Sequence, residues 1–198
     1  ARDLRVEWLN DEAEFLVVYL TVDTQEAMGA NILNTMLEAL KTPLEELTDG
    51  ESLMAILSNY ATEALVTATC EIDIRFLSRN KSEAIDIAKK IVLASQFAKQ
   101  DPYRASTHNK GIFNGIDAVV LATGNDWRAI EAGAHTYASR NGSYQGLTTW
   151  SIKEATQTLC GEITLPLPIA TKGGSIGLNP TVEVSFDLLK QPTAKELA

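Results

Sequence analysis

A polar stretch near the middle of the chain, RASTHNKGIFN at 104–114, contains side chains that can bind an acid and stabilise an oxyanion. Arg104 and Lys110 are two cations six positions apart, and Asn109 and Asn114 add amide groups. Arginine can hold a carboxylate through two parallel hydrogen bonds. A desolvated lysine can donate a hydrogen bond to an oxygen that becomes negative during a reaction. The stretch therefore indicates a site that binds an acid and stabilises developing charge.

A carboxylate within reach of Lys110 would keep the lysine charged and oriented. Asp126 can supply it, because it follows Asn125 at the start of a helix that we predict over about 126–138. The same residues allow a simpler interpretation, in which Asp126 is only a helix N-cap and Lys110 is a solvated surface charge. The residues alone leave both interpretations open.

The segment Glu26-Ala27-Met28-Gly29-Ala30-Asn31 lies at the start of another predicted helix. Gly29 allows a ligand or another backbone to approach closely, and the free amides of a helix N-terminus attract phosphate. The chemistry of these residues nevertheless favours a plain helix start over a binding loop.

The segment 173–177 matches the GxSxG pattern of a hydrolase, with Ser175 as the nucleophile. That pattern requires a helix directly after the serine and a histidine later in the chain. Pro180 follows five residues later, and no histidine follows Ser175. The sequence therefore argues against a hydrolase. It also lacks the GxGxxG motif of a Rossmann dinucleotide site and the GxxxxGK[ST] motif of a P-loop.

Histidine and cysteine residues form no metal-ligand pattern. His108 and His135 are 27 positions apart, so we predict no metal site and expect His135 to be a packed or surface residue. Cys70 and Cys160 are 90 positions apart and form no CxxC pair. We expect two buried, free thiols that pack as small hydrophobic side chains in a reducing cytoplasm, although one disulfide between them is compatible with the sequence.

The hydrophobic pattern predicts helices packed on antiparallel strands, an α+β fold. A change of residue composition near residue 100 suggests a domain boundary there. Lys41-Thr42-Pro43 should end or interrupt the first helix, and Asn80 with Glu83 forms a capping box for the second. The predicted strands are 4–9, 15–22, 64–74, 146–151 and 157–169, and the predicted helices are 26–40, 81–95, 126–138 and 181–190. The first two strands and the last two strands are each predicted to form a β-hairpin.

Charge excludes several kinds of partner. The chain has 198 residues, with 26 acidic and 17 basic side chains and a formal net charge of −9. This balance argues against nucleic acid and against an anionic membrane surface. No apolar run approaches the roughly 20 residues needed to cross a bilayer, and the first residues do not resemble a signal peptide.

Several long motifs identify a family resemblance. They are VDTQEAMGANILNTMLE, ILSNYATEALVTATC, DPYRASTHNKGIFNGIDAVVLATGNDWRAIEAGAHTYASR, GLTTW and GEITLPLPIATKGGSIGLNPTVE. Together they resemble the bacterial (class II) 3-hydroxy-3-methylglutaryl-coenzyme A (HMG-CoA) reductases over nearly the whole chain. The resemblance implies reduction of HMG-CoA to mevalonate and coenzyme A with two hydrides from NADPH or NADH, or the reverse reaction, in a homodimer or higher homo-oligomer. It also implies that 1–100 contains part of a small ferredoxin-like NAD(P)-binding domain and a return connection, and that 101–198 is part of a larger α/β catalytic and substrate-binding domain.

The resemblance also assigns roles to single residues. Lys110 would be the catalytic lysine, with Asp126 orienting it, while Arg104 would bind the substrate carboxylate and Asn114 would line the same pocket. The loop TKGGSIG resembles a Gly-rich segment near the active site. The candidate cofactor-binding residues are Glu26, Met28, Gly29, Asn31 and Asn59.

Some features depart from the family pattern. Glu26 stands where aspartate is usual in the family. Lys172 occupies a position that is commonly apolar, and Phe113 occupies one that is commonly methionine. No segment matches the family's catalytic glutamate or its C-terminal histidine. We therefore expect a central fragment of a longer enzyme that has negligible activity alone, since proton donors are missing. The alternative is a non-catalytic binding module derived from a reductase core.

Overall fold

Six helices and five strands build the chain, and the computed structural model describes residues 1–198. This composition confirms the predicted α+β class. The strands are β1 (Asp3–Asn10), β2 (Glu14–Thr21), β3 (Leu65–Asp73), β4 (Thr148–Lys153) and β5 (Thr158–Pro166). The helices are α1 (Ala30–Thr48), α2 (Lys81–Gln100), α3 (Pro102–Ala122), α4 (Trp127–Ala138), α5 (Pro180–Leu188) and α6 (Ala194–Leu197), and a 3-10 turn spans Ile74–Phe76.

The chain forms two compact units, one of 1–58 with 169–197 and one of 59–168. The predicted boundary near residue 100 falls inside the second unit, at the turn between α2 and α3. Asp101 ends α2 and caps α3, because its side chain accepts a hydrogen bond from the Arg104 amide at 2.8 Å. Pro102 disfavours helical backbone at the residue before it. The change of residue composition at this point therefore coincides with a turn between two packed helices.

In the first unit, β1 and β2 form the predicted antiparallel hairpin, with Val6 opposite Val18. Helix α1 continues through Pro43 to Thr48, so the prediction that Lys41-Thr42-Pro43 ends or interrupts the helix is wrong. Pro43 removes one backbone donor from the helix. Side chains of α1 also hold the following segment, since Asn34 accepts a hydrogen bond from the Leu57 amide at 3.0 Å.

In the second unit, the predicted hairpin forms from β4 and β5, and β3 pairs with the free edge of β5, which gives an antiparallel sheet in the spatial order β3, β5, β4. One face of the sheet packs on α2 around a buried cluster of Ile74, Ala84, Ala88 and Leu159. The ring of Trp150 covers Gly161, where an added Cβ would lie 2.7 Å from the ring. The small residues of α2 let the helix lie close to the strands.

Helix α2 begins where the sequence predicts, because the Asn80 side chain accepts a hydrogen bond from the Ser82 amide at 3.0 Å. The expected reciprocal bond of a capping box is absent. The Glu83 carboxylate instead accepts a hydrogen bond from the Ser78 hydroxyl at 2.6 Å.

Cys70 and Cys160 are free thiols on neighbouring strands. Cys70 is exposed and Cys160 is half-buried, so the prediction that both are buried is wrong. Cys70 pairs with Gly161, and Cys160 pairs with Glu71. Because successive side chains of a strand point to opposite faces, this one-residue offset places the two thiols on opposite sides of the sheet. None of the helices is both long and apolar enough to cross a bilayer.

Candidate functional site

Helix α3 presents Lys110 and Asn114 on one face. The helix is 21 residues long, contains the whole polar stretch 104–114 and is not among the predicted helices. Its buried stripe contains Ala105, Phe113 and Val120, which turns Lys110 and Asn114 to the surface. Residues four positions apart lie one above the other on a helix, so the structure brings this predicted pair together.

Arg104 lies elsewhere on α3. Six positions on a helix of 3.6 residues per turn place it about 120° around the axis from Lys110. It is half-buried and lies one turn before His108. Burial lowers the pKa of His108, and the charges of Arg104 and Lys99 lower it further. The surroundings of Arg104 are thus cationic, which suits an anionic ligand. The angle of about 120° around the helix axis separates Arg104 from the face that carries Lys110.

Asp126 is the N-cap of α4, and its Oδ1 accepts a hydrogen bond from the Ala129 amide at 3.1 Å. The ion pairs in the structure include neither Asp126 nor Lys110. The carboxylate is held by a backbone amide that the helix start leaves unpaired. The predicted contact of Asp126 with Lys110 is not formed here, and the N-cap interpretation describes the observed geometry.

Two substitutions separate the N-cap role of Asp126 from a role in orienting Lys110. Asn caps helices about as well as Asp, so Asp126→Asn should leave the thermal unfolding of the full-length protein unchanged. Asp126→Ala should lower its free energy of unfolding by about 1 kcal/mol. If the charge orients Lys110, both variants should lose turnover to the same extent in a steady-state assay. Wild-type turnover in Asp126→Asn would leave only the capping role.

The amide of Asn109 is not available to a ligand. Asn109 is fully buried, its Nδ2 donates to the Gln145 carbonyl at 2.9 Å, and its Oδ1 accepts from the Leu147 amide at 2.9 Å. The interpretation of Asn109 as a ligand-binding donor is therefore wrong. The side chain joins α3 to the segment before β4 and anchors the helix that carries Lys110.

In the first unit, the Glu26 loop and the Gly-rich loop lie together. The Glu26 carbonyl accepts hydrogen bonds from the amides of Thr171 at 3.0 Å and Lys172 at 2.9 Å, and the Met28 amide donates to the Lys172 carbonyl at 3.0 Å. The Glu26 carboxylate accepts from the Thr171 hydroxyl and from the Ala194 amide. These hydrogen bonds, that of Thr171 first, lower the pKa of Glu26. Glu26 therefore ties two distant segments together.

Gly29 is required for this loop. Its backbone has φ 78°, in the left-handed region, and an added Cβ would lie 2.5 Å from Thr24 Cγ2. Gly29 also begins α1 without a side-chain cap, and the first turn of the helix carries no acidic residue. Asn31 is exposed on that turn, and the Met28 side chain lies against Gly174. The amides at this helix start are therefore not engaged by a capping side chain.

The last predicted cofactor residue, Asn59, belongs to the second unit. Its side chain is exposed, and its carbonyl lies so close to α4 that a Cβ added at Gly133 would be 2.5 Å away. The structure thus places Asn59 beside α4, in the unit that holds Lys110. The other cofactor candidates, Glu26, Met28, Gly29 and Asn31, belong to the first unit.

Other candidate sites carry no predicted function. The helix after Ser175 begins only at Pro180, so the hydrolase elbow is not formed. No group of histidine, cysteine and acidic side chains is arranged to hold a metal ion. A cavity of about 390 Å³ at the start of α2 is lined in part by Asp73, Arg75 and Lys81 and contains none of the predicted site residues.

Sequence reasoning missed one cluster, formed by Asp117, Glu131 and Tyr144 with His135. His135 Nδ1 lies 2.9 Å from the Tyr144 hydroxyl, and its ring centroid is 5.2 Å from that of Phe113. His135 is therefore packed, as expected. The sequence spacing could have pointed to Asp117, because it lies seven positions after Lys110 and therefore on the same helix face as Lys110 and Asn114.

The fold and these clusters define an α+β protein without a Rossmann, P-loop or hydrolase motif. The sequence profile of one family, described as hydroxymethylglutaryl-coenzyme A reductase, matches residues 1–198. The chain belongs to that family, and the resemblance carried by its motifs is confirmed.

Relatives show the same similarity. The 3-hydroxy-3-methylglutaryl-coenzyme A reductase of Archaeoglobus fulgidus is 42% identical over 185 residues, which cover 93% of this chain and 41% of the relative. A probable 3-hydroxy-3-methylglutaryl-coenzyme A reductase of Borreliella burgdorferi is 38% identical over 175 residues, which cover 88% of this chain and 40% of the relative. The class II reductase of Streptococcus pneumoniae, solved with NADPH in open conformations, is 68% identical with a TM-score of 0.97, covering 99% of this chain and 47% of that one. The chain thus spans less than half the length of these relatives.

Proposed function

We propose that the full-length protein reduces the thioester of HMG-CoA to mevalonate and coenzyme A with NADPH or NADH, or catalyses the reverse. The observation that carries the proposal is the exposed Lys110–Asn114 face, which lies at the HNKG motif within a family match that covers all 198 residues. The 68% identity to a reductase solved with NADPH supports a nicotinamide cofactor. We further propose a homodimer, and a cytoplasmic location that the free thiols support.

In this proposal Lys110 stabilises negative charge. Hydride addition to the thioester carbon converts the carbonyl oxygen to an oxyanion, and the Lys110 ammonium donates a hydrogen bond to it. Asn114, one turn away, binds a polar group of the substrate. Arg104, in its cationic surroundings, binds the substrate carboxylate. Because these groups act on charge and position, their loss should lower turnover more than stability.

The residues of the first unit fit a dinucleotide. The start of α1 offers amides without a side-chain cap or a nearby acid, and such a helix terminus attracts phosphate. Gly29 leaves the backbone uncovered there, while Met28 and Asn31 flank it. A bound nicotinamide supplies hydride. The Glu26 tie to Thr171 and Ala194 keeps the loop in place, so we assign Glu26 a positioning role toward the cofactor.

The test is a steady-state assay of the full-length protein with HMG-CoA and either NADPH or NADH. We expect cofactor oxidation that depends on HMG-CoA, with mevalonate and coenzyme A detected by mass spectrometry. The ratio of kcat/KM for the two cofactors gives the preference. Calorimetric binding of cofactor and HMG-CoA without turnover would instead support the non-catalytic binding module. Absence of both binding and turnover would overturn the proposal.

A further inference from the structure

Asp117 is a half-buried acid to which the proposed mechanism gives no role. It lies on α3 two turns after Lys110, and its Oδ1 is buried without a hydrogen-bond partner, the one such side-chain atom in residues 1–198. An ionised carboxylate with an unpaired buried oxygen is costly. Buried polar groups are almost always hydrogen-bonded, so this atom requires an explanation.

The neighbour that faces Asp117 is another acid. Glu131 of α4 lies within hydrogen-bond reach of it, and His135 is the other ionisable group that acts on it. Burial raises the pKa of Asp117, the charge and hydrogen bond of Glu131 raise it further, and His135 lowers it. Two ionised carboxylates cannot hydrogen-bond to each other, because neither carries a proton. A proton between them satisfies the unpaired oxygen.

The surroundings keep this pair in place. His135 is fixed between the rings of Phe113 and Tyr144, with centroid distances of 5.2 and 5.9 Å, and its Nδ1 is engaged by the Tyr144 hydroxyl. Helix α2 also packs on α3, but its Lys99 acts on His108 near the start of α3. The groups that set the protonation of Asp117 therefore come from α4.

We propose that Asp117 and Glu131 share one proton in a carboxylic acid–carboxylate hydrogen bond that joins α3 to α4. Asp117 lies about 10 Å along α3 from Lys110, and Glu131 lies about 7.5 Å along α4 from Asp126. The bond therefore sets the distance between the helix that carries Lys110 and the helix that begins at Asp126. Asp117 and Glu131 are positioning residues, and their effect on turnover rests on the proposed function.

The shared proton has a defined pH dependence. The pKa of Asp117 is higher in the folded than in the unfolded chain, so the folded chain binds a proton at Asp117 more tightly than the unfolded chain does. Its contribution to stability is present at acidic pH and is lost as the pH rises above the ordinary aspartate value and through the raised one. Asn at this position supplies an amide donor to Glu131 at every pH.

Thermal unfolding of the full-length protein between pH 5 and 9 tests the proposal. We expect Asp117→Asn to raise Tm by about 2–4 °C at the alkaline end and to reduce its dependence on pH. Glu131→Gln should also flatten the dependence. The control Asp86→Asn, an exposed carboxylate on α2, should match the wild type. A lower Tm in Asp117→Asn with an unchanged pH dependence would show that Asp117 is ionised and overturn the proposal.

Two further measurements separate the shared proton from the proposed function. Infrared spectra of the wild type at neutral pH should contain a protonated-carboxyl band. Asp117→Asn and Glu131→Gln should remove this band, and Asp86→Asn should retain it. Absence of the band from the wild type would overturn the proposal whether or not the protein reduces HMG-CoA. If it does, Asp117→Asn should keep kcat within about twofold at neutral pH, whereas Asp117→Ala should lower kcat with an unchanged KM for the cofactor. Equal kcat in the two variants would remove the positioning role.

Discussion

Replacement of Lys110 by alanine is expected to lower kcat of the full-length protein for HMG-CoA reduction by about a thousandfold. The ammonium group is needed when the carbonyl oxygen becomes negative, so its loss should act on turnover and leave the KM for the cofactor nearly unchanged. Steady-state kinetics with mass-spectrometric detection of mevalonate measures the effect. Because Lys110 is exposed and in no ion pair, thermal unfolding should change little.

A matched control for Lys110→Ala is Lys89→Ala, since Lys89 is an exposed lysine on α2 outside the proposed site. It should retain wild-type kinetics. Lys110→Arg keeps the charge but spreads it over a planar group, so we expect partial activity. Wild-type kcat in Lys110→Ala would exclude an oxyanion role for this residue and leave it a solvated surface charge.

Asn109→Ala should destabilise the protein by about 2–5 kcal/mol, the largest stability effect that we expect. The substitution leaves the Leu147 amide and the Gln145 carbonyl without their partners, at a position that is fully buried. Urea unfolding of the full-length protein, with the slope m held equal to that of the wild type, measures the loss.

Ser106→Ala is the control for Asn109→Ala, because Ser106 is an exposed residue on the same helix. Its unfolding should stay within about 0.5 kcal/mol of the wild type. Asn109→Asp keeps the acceptor for the Leu147 amide but sets a carboxylate against the Gln145 carbonyl, so it should not rescue stability. A loss below about 0.5 kcal/mol in Asn109→Ala would show that the two hydrogen bonds do not anchor α3.

Local patterns predicted most of the regular elements. Alternation of apolar residues indicated the β1–β2 and β4–β5 hairpins, and Asn80 and Asp126 marked helix starts through their side-chain caps. These features depend on residues close in the chain. The error at Pro43 has a physical cause. Proline disfavours a continuing helix locally, whereas packing of the whole segment outweighs that preference.

The candidate site was predictable in part. Lys110 and Asn114 are four positions apart, so any helix here must present them together. The choice between the two interpretations of Asp126, and the internal hydrogen bonds of Asn109, were not predictable, because a carboxylate or amide can serve a backbone group as well as a ligand. Only their hydrogen bonds distinguish these uses. Asp117 shared a helix face with Lys110, but its burial and its acidic neighbour depend on how α4 packs.

The sequence by itself determined the α+β class and the family, because motifs and hydrophobic periodicity are local properties of the chain. It predicted no helix over 102–122, so the face shared by Lys110 and Asn114 appeared only in the structure. The tertiary structure decided that Glu26 binds Thr171, that Asn109 is an internal anchor and that Asp117 faces Glu131. Each of these contacts joins residues from different elements. Their geometry arises only when burial of the apolar surface packs those elements together.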